Sequence, residues 1–218
     1  MAFSNIGSAE QAFGSTNSAS DTISVAVPNL ATNSIGFVFA TLTSTTATVT
    51  GVTWNGQAMS AGPAPDAGVN LVACFYLVNP PDNGTYNIVA SYSSTNLHHG
   101  YIAVGWADAG AAVSIDDTSS TTGTTQNPSI TSTQAGANEL VVSCSNSNAN
   151  NVGAPTTTNC TELTNHDHGG DCVISAYSIP TSSGDATHTH NYSQSGTYAI
   201  ASMSFKEATT ARRVFIVQ

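Results

Sequence analysis

Histidine is the residue type in this chain best suited to chemistry near neutral pH, because an imidazole binds metals and moves protons. Two clusters stand out, Asn165-His166-Asp167-His168-Gly169 and His188-Thr189-His190. Positions i and i+2 of a strand share a face, so His188 and His190 point the same way. With His166 and His168 brought in from a hairpin tip, they would form a four-imidazole, zinc-like set. The plainer alternative is that these side chains are solvated or hydrogen-bonded to the Ser and Thr around them. A divalent metal at these histidines is the one cofactor the sequence invites, and otherwise none is expected.

Aromatic rings offer a second chemistry. Trp54 and Trp106, if exposed, could stack on sugar rings, but each also sits where edge-of-core packing is common. Enzymatic patterns are missing. There is no Gly-x-Ser-x-Gly elbow, and no phosphate-cradling loop carries a Lys. Asp116 and Asp117 are adjacent, so in an extended segment their carboxylates point apart and read as part of a solvated loop. A non-enzymatic role is the expectation.

The elements that would position these groups are β-strands. Asn55-Gly56 tolerates positive φ at both centres of a two-residue turn, so Gly51 to Met59 reads as a tight hairpin. The apolar run Leu71 to Val78 stops at Asn79-Pro80-Pro81-Asp82-Asn83-Gly84, and Tyr86, Ile88, Ala90 and Tyr92 then alternate with wetter residues. Strands are expected over Asp21–Val27, Ser34–Leu42, Thr48–Trp54, Leu71–Val78, Tyr86–Tyr92 and Tyr101–Ala107. They resume over Ser129–Thr133, Glu139–Ser145, Cys160–Leu163, Cys172–Ile179, Ala186–Tyr192 and Thr197–Phe205. No window keeps a helical period. The fold class is all-β, a jelly-roll-like sandwich of about twelve strands.

The two halves also resemble each other at an offset near one hundred residues. Asn33 to Phe39 aligns with Asn138 to Cys144, Tyr76 to Ser93 with Tyr177 to Ser193, and Tyr101-Ile-Ala-Val with Tyr198-Ala-Ile-Ala. Each half is then expected to contribute comparable strands to two facing sheets, with Ser114 to Pro128 as a polar connecting loop. His188 and His190 align with Ile88 and Ala90, which turns them inward.

Thirteen Asp and Glu stand against three Lys and Arg, all at or beyond Lys206. Residues 1 to 205 therefore hold no Lys or Arg, and a nucleic-acid or anionic-membrane partner is excluded on charge. No apolar run is long enough to span a bilayer, so no membrane insertion is expected. Met1-Ala2-Phe3-Ser4 carries no signal-peptide pattern, which fits synthesis in the cytoplasm followed by release. Cys74 and Cys144 read as buried, whereas Cys160 and Cys172 flank a hairpin and could be bonded across it. The body is expected over residues 1–206. A tail over 207–218 ends in Arg212, Arg213, Val214, Phe215, Ile216 and Val217, a cationic and then β-prone segment suited to anchoring on a partner or on another copy.

The residues Val52-Thr-Trp-Asn-Gly-Gln-Ala-Met59, Phe75-Tyr-Leu-Val-Asn-Pro-Pro81, Asn83-Gly-Thr-Tyr-Asn-Ile-Val89, Asn138-Glu-Leu-Val-Val142 and Tyr198 to Lys206 carry a resemblance. Over residues 5 to 206 the chain resembles a β-sandwich domain family of bacterial extracellular and surface proteins and of phage-encoded structural proteins. The closing Arg-Arg-Val-Phe-Ile-Val is similar to short tails that follow such domains in phage-encoded proteins. The resemblance implies a non-enzymatic phage structural protein, a capsid decoration or fibre-like appendage in the virion, outside the cell after lysis. Its partners would be other virion proteins or copies of itself. The alternative it implies is an adhesive module for a host surface glycan.

Overall fold

The computed structural model describes residues 3–13, 18–43, 47–64, 70–94, 99–148, 155–168 and 171–208. Seventeen strands and no helix are found there. The first half supplies β1 (Ser4–Phe13), β2 (Ser20–Val27), β3 (Asn33–Thr43), β4 (Val49–Trp54), β5 (Gln57–Ala58), β6 (Ser60–Ala61), β7 (Asn70–Val78), β8 (Gly84–Tyr92) and β9 (His99–Ala109). The second supplies β10 (Val113–Thr125), β11 (Ser129–Gln134), β12 (Leu140–Ser147), β13 (Thr156–Thr158), β14 (Thr161–His168), β15 (Asp171–Ser178), β16 (Gly184–Asn191) and β17 (Gly196–Glu207). All twelve expected strands are present. The five added ones are β1, β5, β6, β10 and β13.

The strands form four antiparallel sheets. Sheet A runs β1-β9-β3-β7-β6 and sheet B β2-β8-β4-β5, while sheet C runs β10-β17-β12-β15-β14 and sheet D β11-β16-β13. Apart from β5, which has no counterpart in D, order and connectivity in A and B are repeated in C and D, so the two halves are topological copies. One correction concerns how they combine. Rather than sharing two sheets, each half closes its own sandwich, and the two sandwiches stack face to face in the order B, A, C, D. Strand alternation makes this possible. On β3, Val38, Ala40 and Leu42 join the core against sheet B, while Ile35, Phe37 and Phe39 join Leu140, Val142, Met203 and Phe205 of sheet C. Sheet A is thus apolar on both faces at its centre, and β3 is buried along nearly its whole length. Gly105 makes room at this junction, since a Cβ there would lie 2.2 Å from the Phe37 ring.

The repeat also needs a correction of register in its last part. Ala40 opposes Ile102, and its counterpart Ser145 opposes Ile200, so Ile102 corresponds to Ile200 and not to Ala199. A slip of one residue exchanges the two faces of a strand.

Local chemistry follows the expectation at the turns. Asn55 and Gly56 have φ of 51° and 79°, and Trp54 pairs with Gln57 across them. By contrast, Ser114 to Pro128 is not a loop: its Thr and Ser residues form most of β10, which pairs with β17 along its length apart from one bulge between Ile115 and Asp117. The hairpin of β14 and β15 does exist, but its register sets Cys172 opposite Asp167 and Thr161 opposite Tyr177. Cys160 and Cys172 are then separated by about 20 Å along the strands, beyond a disulfide's reach. All four cysteines are free, and the Cys172 thiol points to Asp167 Oδ1 at 3.3 Å. The anchoring tail residues Arg212, Arg213, Val214, Phe215, Ile216 and Val217 lie outside the described residues.

Candidate functional site

His188 and His190 are turned inward, as the repeat implies, and are 1% and 0% exposed between sheets C and D. Their surroundings differ from the matching layer between A and B. There Val38, Ala40, Leu77, Ile88, Ala90 and Tyr92 form an apolar core. At the corresponding positions stand Ser143, Ser145, Ser178, His188, His190 and Tyr192. Five apolar side chains are replaced by hydroxyls and imidazoles, and only the tyrosine is kept.

These six side chains form one chain of hydrogen bonds. Ser178 Oγ meets His188 Nε2 at 2.7 Å, and His188 Nδ1 meets Ser143 Oγ at 2.8 Å. Ser143 Oγ meets His190 Nε2 at 3.0 Å, and His190 Nδ1 meets Ser145 Oγ at 2.6 Å. Ser145 Oγ meets the Tyr192 hydroxyl at 2.6 Å, and that hydroxyl donates to the Cys172 carbonyl at 3.5 Å. With neutral imidazoles, each of the six groups has one proton to give. Because the Cys172 carbonyl can only accept, one ordering makes all the bonds: each group donates toward Tyr192, and both histidines carry the proton on Nδ1. Burial pushes the His188 pKa down to about 4 and that of His190 to about 3, the latter helped by His188. The seam is therefore uncharged at neutral pH.

The expected four-histidine set is not assembled. His166 lies on the opposite face of sheet C, stacked at 5.4 Å on the Tyr101 ring of sheet A. The whole of sheet C separates it from His188 and His190, whose ring nitrogens are all engaged by serines. The His168 side chain lies outside the described residues. Among the described residues, no three His, Cys, Asp or Glu side chains are grouped as for a metal ion.

The tryptophans follow the core-packing reading. Trp54 is 0% exposed and Trp106 is 7% exposed, both within the core between A and B. Trp54 packs over Gly36, and Trp106 over Gly7. Neither indole offers a face to a sugar ring.

A carboxyl cluster that the sequence concealed lies at the bulge in β10. Asp116 is the extra residue there, and the bulge turns both neighbouring carboxylates toward β11: Asp117 Oδ2 accepts from Thr133 N at 2.8 Å and Asp116 Oδ2 from Ala135 N at 2.9 Å. In a regular strand they would have pointed apart. Asp116 Oδ1 also meets Lys206 Nζ, and Gly136 N donates to Glu139 Oε1 at 2.6 Å. Burial, then the adjoining Asp116 carboxyl, pushes Glu139 up to about 7. Burial would also raise Asp116, but Lys206, the Ala135 amide and Glu139 outweigh it and hold Asp116 below the ordinary range. Glu139 and Lys206 line a groove of about 650 Å³ beside this cluster. One oxygen of each carboxyl accepts from a backbone amide and the other Asp116 oxygen meets Lys206, so the cluster acts as a clasp joining β10, β17 and the start of β12.

The outermost faces of the stack carry a different surface. Sheet B presents Ser20, Thr22, Ser24, Thr53, Thr85, Asn87 and Ser91. Sheet D presents Ser129, Thr131, Thr133, Thr156, Thr158, Thr187, Thr189 and Asn191, with Asp185 as its carboxylate. Hydroxyls pair across the strands, Ser129 with Thr189 at 3.0 Å and Thr131 with Thr187 at 2.8 Å. On a chain of net charge −10, these two faces are almost neutral. No helix among the described residues is long and apolar enough to cross a membrane. No protein-family model matches the chain, and no curated protein matches it in sequence.

Proposed function

We propose that this chain is a non-enzymatic structural subunit of a larger particle, of the capsid-decoration or appendage kind met in phages, and that it docks through its sheet surfaces. The observation that carries this reading is the pair of outer faces on sheets B and D. Both are hydroxyl-bearing and nearly free of charge, although acidic residues dominate the chain. A face without charge can approach another surface without stripping ions of water, and Ser, Thr and Asn supply hydrogen bonds at either end of the contact. The stack of two sandwiches sets these faces on opposite sides, as suits a spacer or a layer. The resemblance to phage-encoded structural domains points the same way.

The test is co-purification. The protein should band with particles from its source at fixed stoichiometry. A Thr22→Glu, Thr131→Glu, Thr187→Glu variant, charged on both outer faces, should stay in the soluble fraction. Recovery of the unaltered protein from the soluble fraction alone would refute the reading. Selective retention by one glycan would instead move the chain to the surface-adhesion class.

A further inference from the structure

The sheet edges differ sharply in how they are protected. An unpaired strand edge is a template for another chain, and proteins blunt it by shortness, charge, bulges or caps. At the ends of sheets A, B and D, strands β6, β5 and β13 are two, two and three residues long. β1 carries Glu10 and a bulge between Ser4 and Gly7. β2 buries an inward-pointing carboxylate, Asp21. β11 is six residues long, and Asp117 caps its Thr133 amide. β14 carries Glu162, His166 and Asp167 and is broken by a bulge between Glu162 and Thr164.

β10 has none of these devices after its bulge. Thr118-Ser-Ser-Thr-Thr-Gly-Thr-Thr125 is an eight-residue edge with no charge and no Pro. Which of its backbone groups face outward follows from the flanking bonds. Asn148 N donates to Thr197 O, so odd-numbered residues of β17 bond toward β12. Ala208 N donates to Ala112 O, so the even-numbered ones bond toward β10. Ser202, Ile200 and Tyr198 oppose Ser119, Thr121 and Gly123, and these β10 residues are thereby satisfied. Thr118, Ser120, Thr122 and Thr124 then aim their amides and carbonyls away from the sheet. The one described contact on these groups is the Thr121 hydroxyl on the Thr122 carbonyl, at 3.5 Å.

We infer that β10 is a self-association edge, pairing antiparallel with β10 of a second copy to make one continuous sheet C through both subunits. This conclusion is independent of what the outer faces bind. Three observations select a second copy as the occupant. Two chains of net charge −10 repel, and the uncharged run Thr118–Thr125 is where they can meet at least cost. The strand is complementary to itself, because one register sets Thr118 opposite Thr124 and Ser120 opposite Thr122, with Thr121 on the two-fold axis. In that register all four outward residues exchange bonds, giving about eight between the subunits. Finally, the resulting Ser–Thr and Thr–Thr pairs repeat the hydroxyl pairing that β11 and β16 already make.

The experiment is the solution mass of the full chain, by light scattering after size-exclusion chromatography. The unaltered protein should run at twice its 22.2 kDa. Ser120→Pro with Thr122→Pro removes two outward amides and leaves the β17 ladder intact, so the mass should halve with an unchanged circular-dichroism spectrum. If those prolines disturb the fold, Ser120→Lys with Thr122→Lys sets like charges opposite one another and should halve the mass equally. Thr121→Cys should cross-link into a disulfide dimer on oxidation, above the background of the unaltered protein, because facing residues at such a site lie about 4.5 Å apart. A monomeric unaltered protein, a mass indifferent to the lysines, or a Thr121→Cys variant that stays uncrosslinked would each overturn the inference. The last outcome would assign the edge to a different strand, such as the C-terminal segment of a neighbour.

Discussion

The seam between sheets C and D makes stability depend on acid in a way that can be worked out. His188 and His190 are neutral in the folded protein down to pH about 4 and about 3, against an ordinary value of 6.5. Their folded pKa values are depressed, so the unfolded chain binds protons first and stability falls as the pH drops below 6.5. Each proton is worth about 1.4 kcal/mol per pH unit, so the pair costs nearly 7 kcal/mol between pH 6.5 and 4. Glu139 works the other way. Its folded pKa of about 7 lies above the ordinary 4.5, so the folded state keeps a proton that the unfolded state loses. Acidification from pH 6.5 to 4.5 then restores about 3 kcal/mol. The net loss by pH 4 is about 4 kcal/mol, a large part of the 5–15 kcal/mol that holds most domains. Asp116, held low, adds its own loss only below its ordinary value of 3.8.

The assay is urea unfolding followed by tryptophan fluorescence at half-unit steps of pH, since Trp54 and Trp106 are both buried and report on the core. The unaltered protein should lose about 1.4 kcal/mol per unit between pH 6.5 and 4.5, and Glu139→Gln should double that slope to about 2.7. Imidazole proton resonances of His188 and His190 should stay at their neutral positions through pH 5, with the nitrogen shifts of Nδ1-protonated rings. A flat profile in Glu139→Gln, or either resonance titrating near 6.5 in the folded protein, would refute the account of the seam.

Installing the first-half residues through Ser143→Val, Ser145→Ala, Ser178→Leu, His188→Ile and His190→Ala should abolish the acid-induced loss and leave the opposite slope of Glu139, read by the same urea series. Ser143→Ala alone breaks the chain of hydrogen bonds at its centre and strands two ring nitrogens, so chemical denaturation should show a loss of about 1–3 kcal/mol. Gly105→Ala would drive a Cβ to 2.2 Å from the Phe37 ring, and thermal unfolding should reveal at least about 1–3 kcal/mol of overpacking. Thiol titration in denaturant under non-reducing conditions should count four free cysteines, whereas two would restore the Cys160–Cys172 bond that the hairpin register forbids.

Much of the fold was legible because the apolar strands announce themselves. Phe37, Phe39, Leu71 to Leu77 and Ile88 to Tyr92 sit between turn residues, and their burial follows from alternation alone. The strands that escaped notice lack that signal: β10 beyond its bulge is Thr and Ser with one Gly, β13 is three threonines, and β5 and β6 are two residues each. Such strands are held by neighbours and not by their own burial, so a single sequence reads them as loop. The inward turn of His188 and His190 was legible through the repeat, since Ile88 and Ala90 mark those positions as core. Their partners were not. Ser143, Ser145 and Ser178 look like surface residues until the pairing of β12 with β15 and β17 sets them beneath β16. Core packing of the tryptophans was legible, but the glycines that accommodate them, Gly7 and Gly36, were not, because they are distant in sequence and meet them only through the sheets.

The repeat lets one half serve as the control for the other. Topology, strand order and the inward tyrosines Tyr92 and Tyr192 are shared, yet the first sandwich closes on Val, Leu, Ile and Ala while the second closes on Ser and His. Apolar contact is tolerant of small shifts, whereas a run of six hydrogen bonds between buried groups is satisfied at one register and leaves donors stranded at any other. Sheet D is therefore fixed in position more strictly than sheet B, although it is held by fewer apolar contacts and gives way first in acid. The central junction of A with C remains apolar, through Phe37, Phe39, Met203 and Phe205, and joins the two sandwiches whatever the protonation of the seam. Acid thus acts on an outer layer of the stack before it acts on the junction, and the layer it acts on is one of the two neutral faces through which the subunit is proposed to dock.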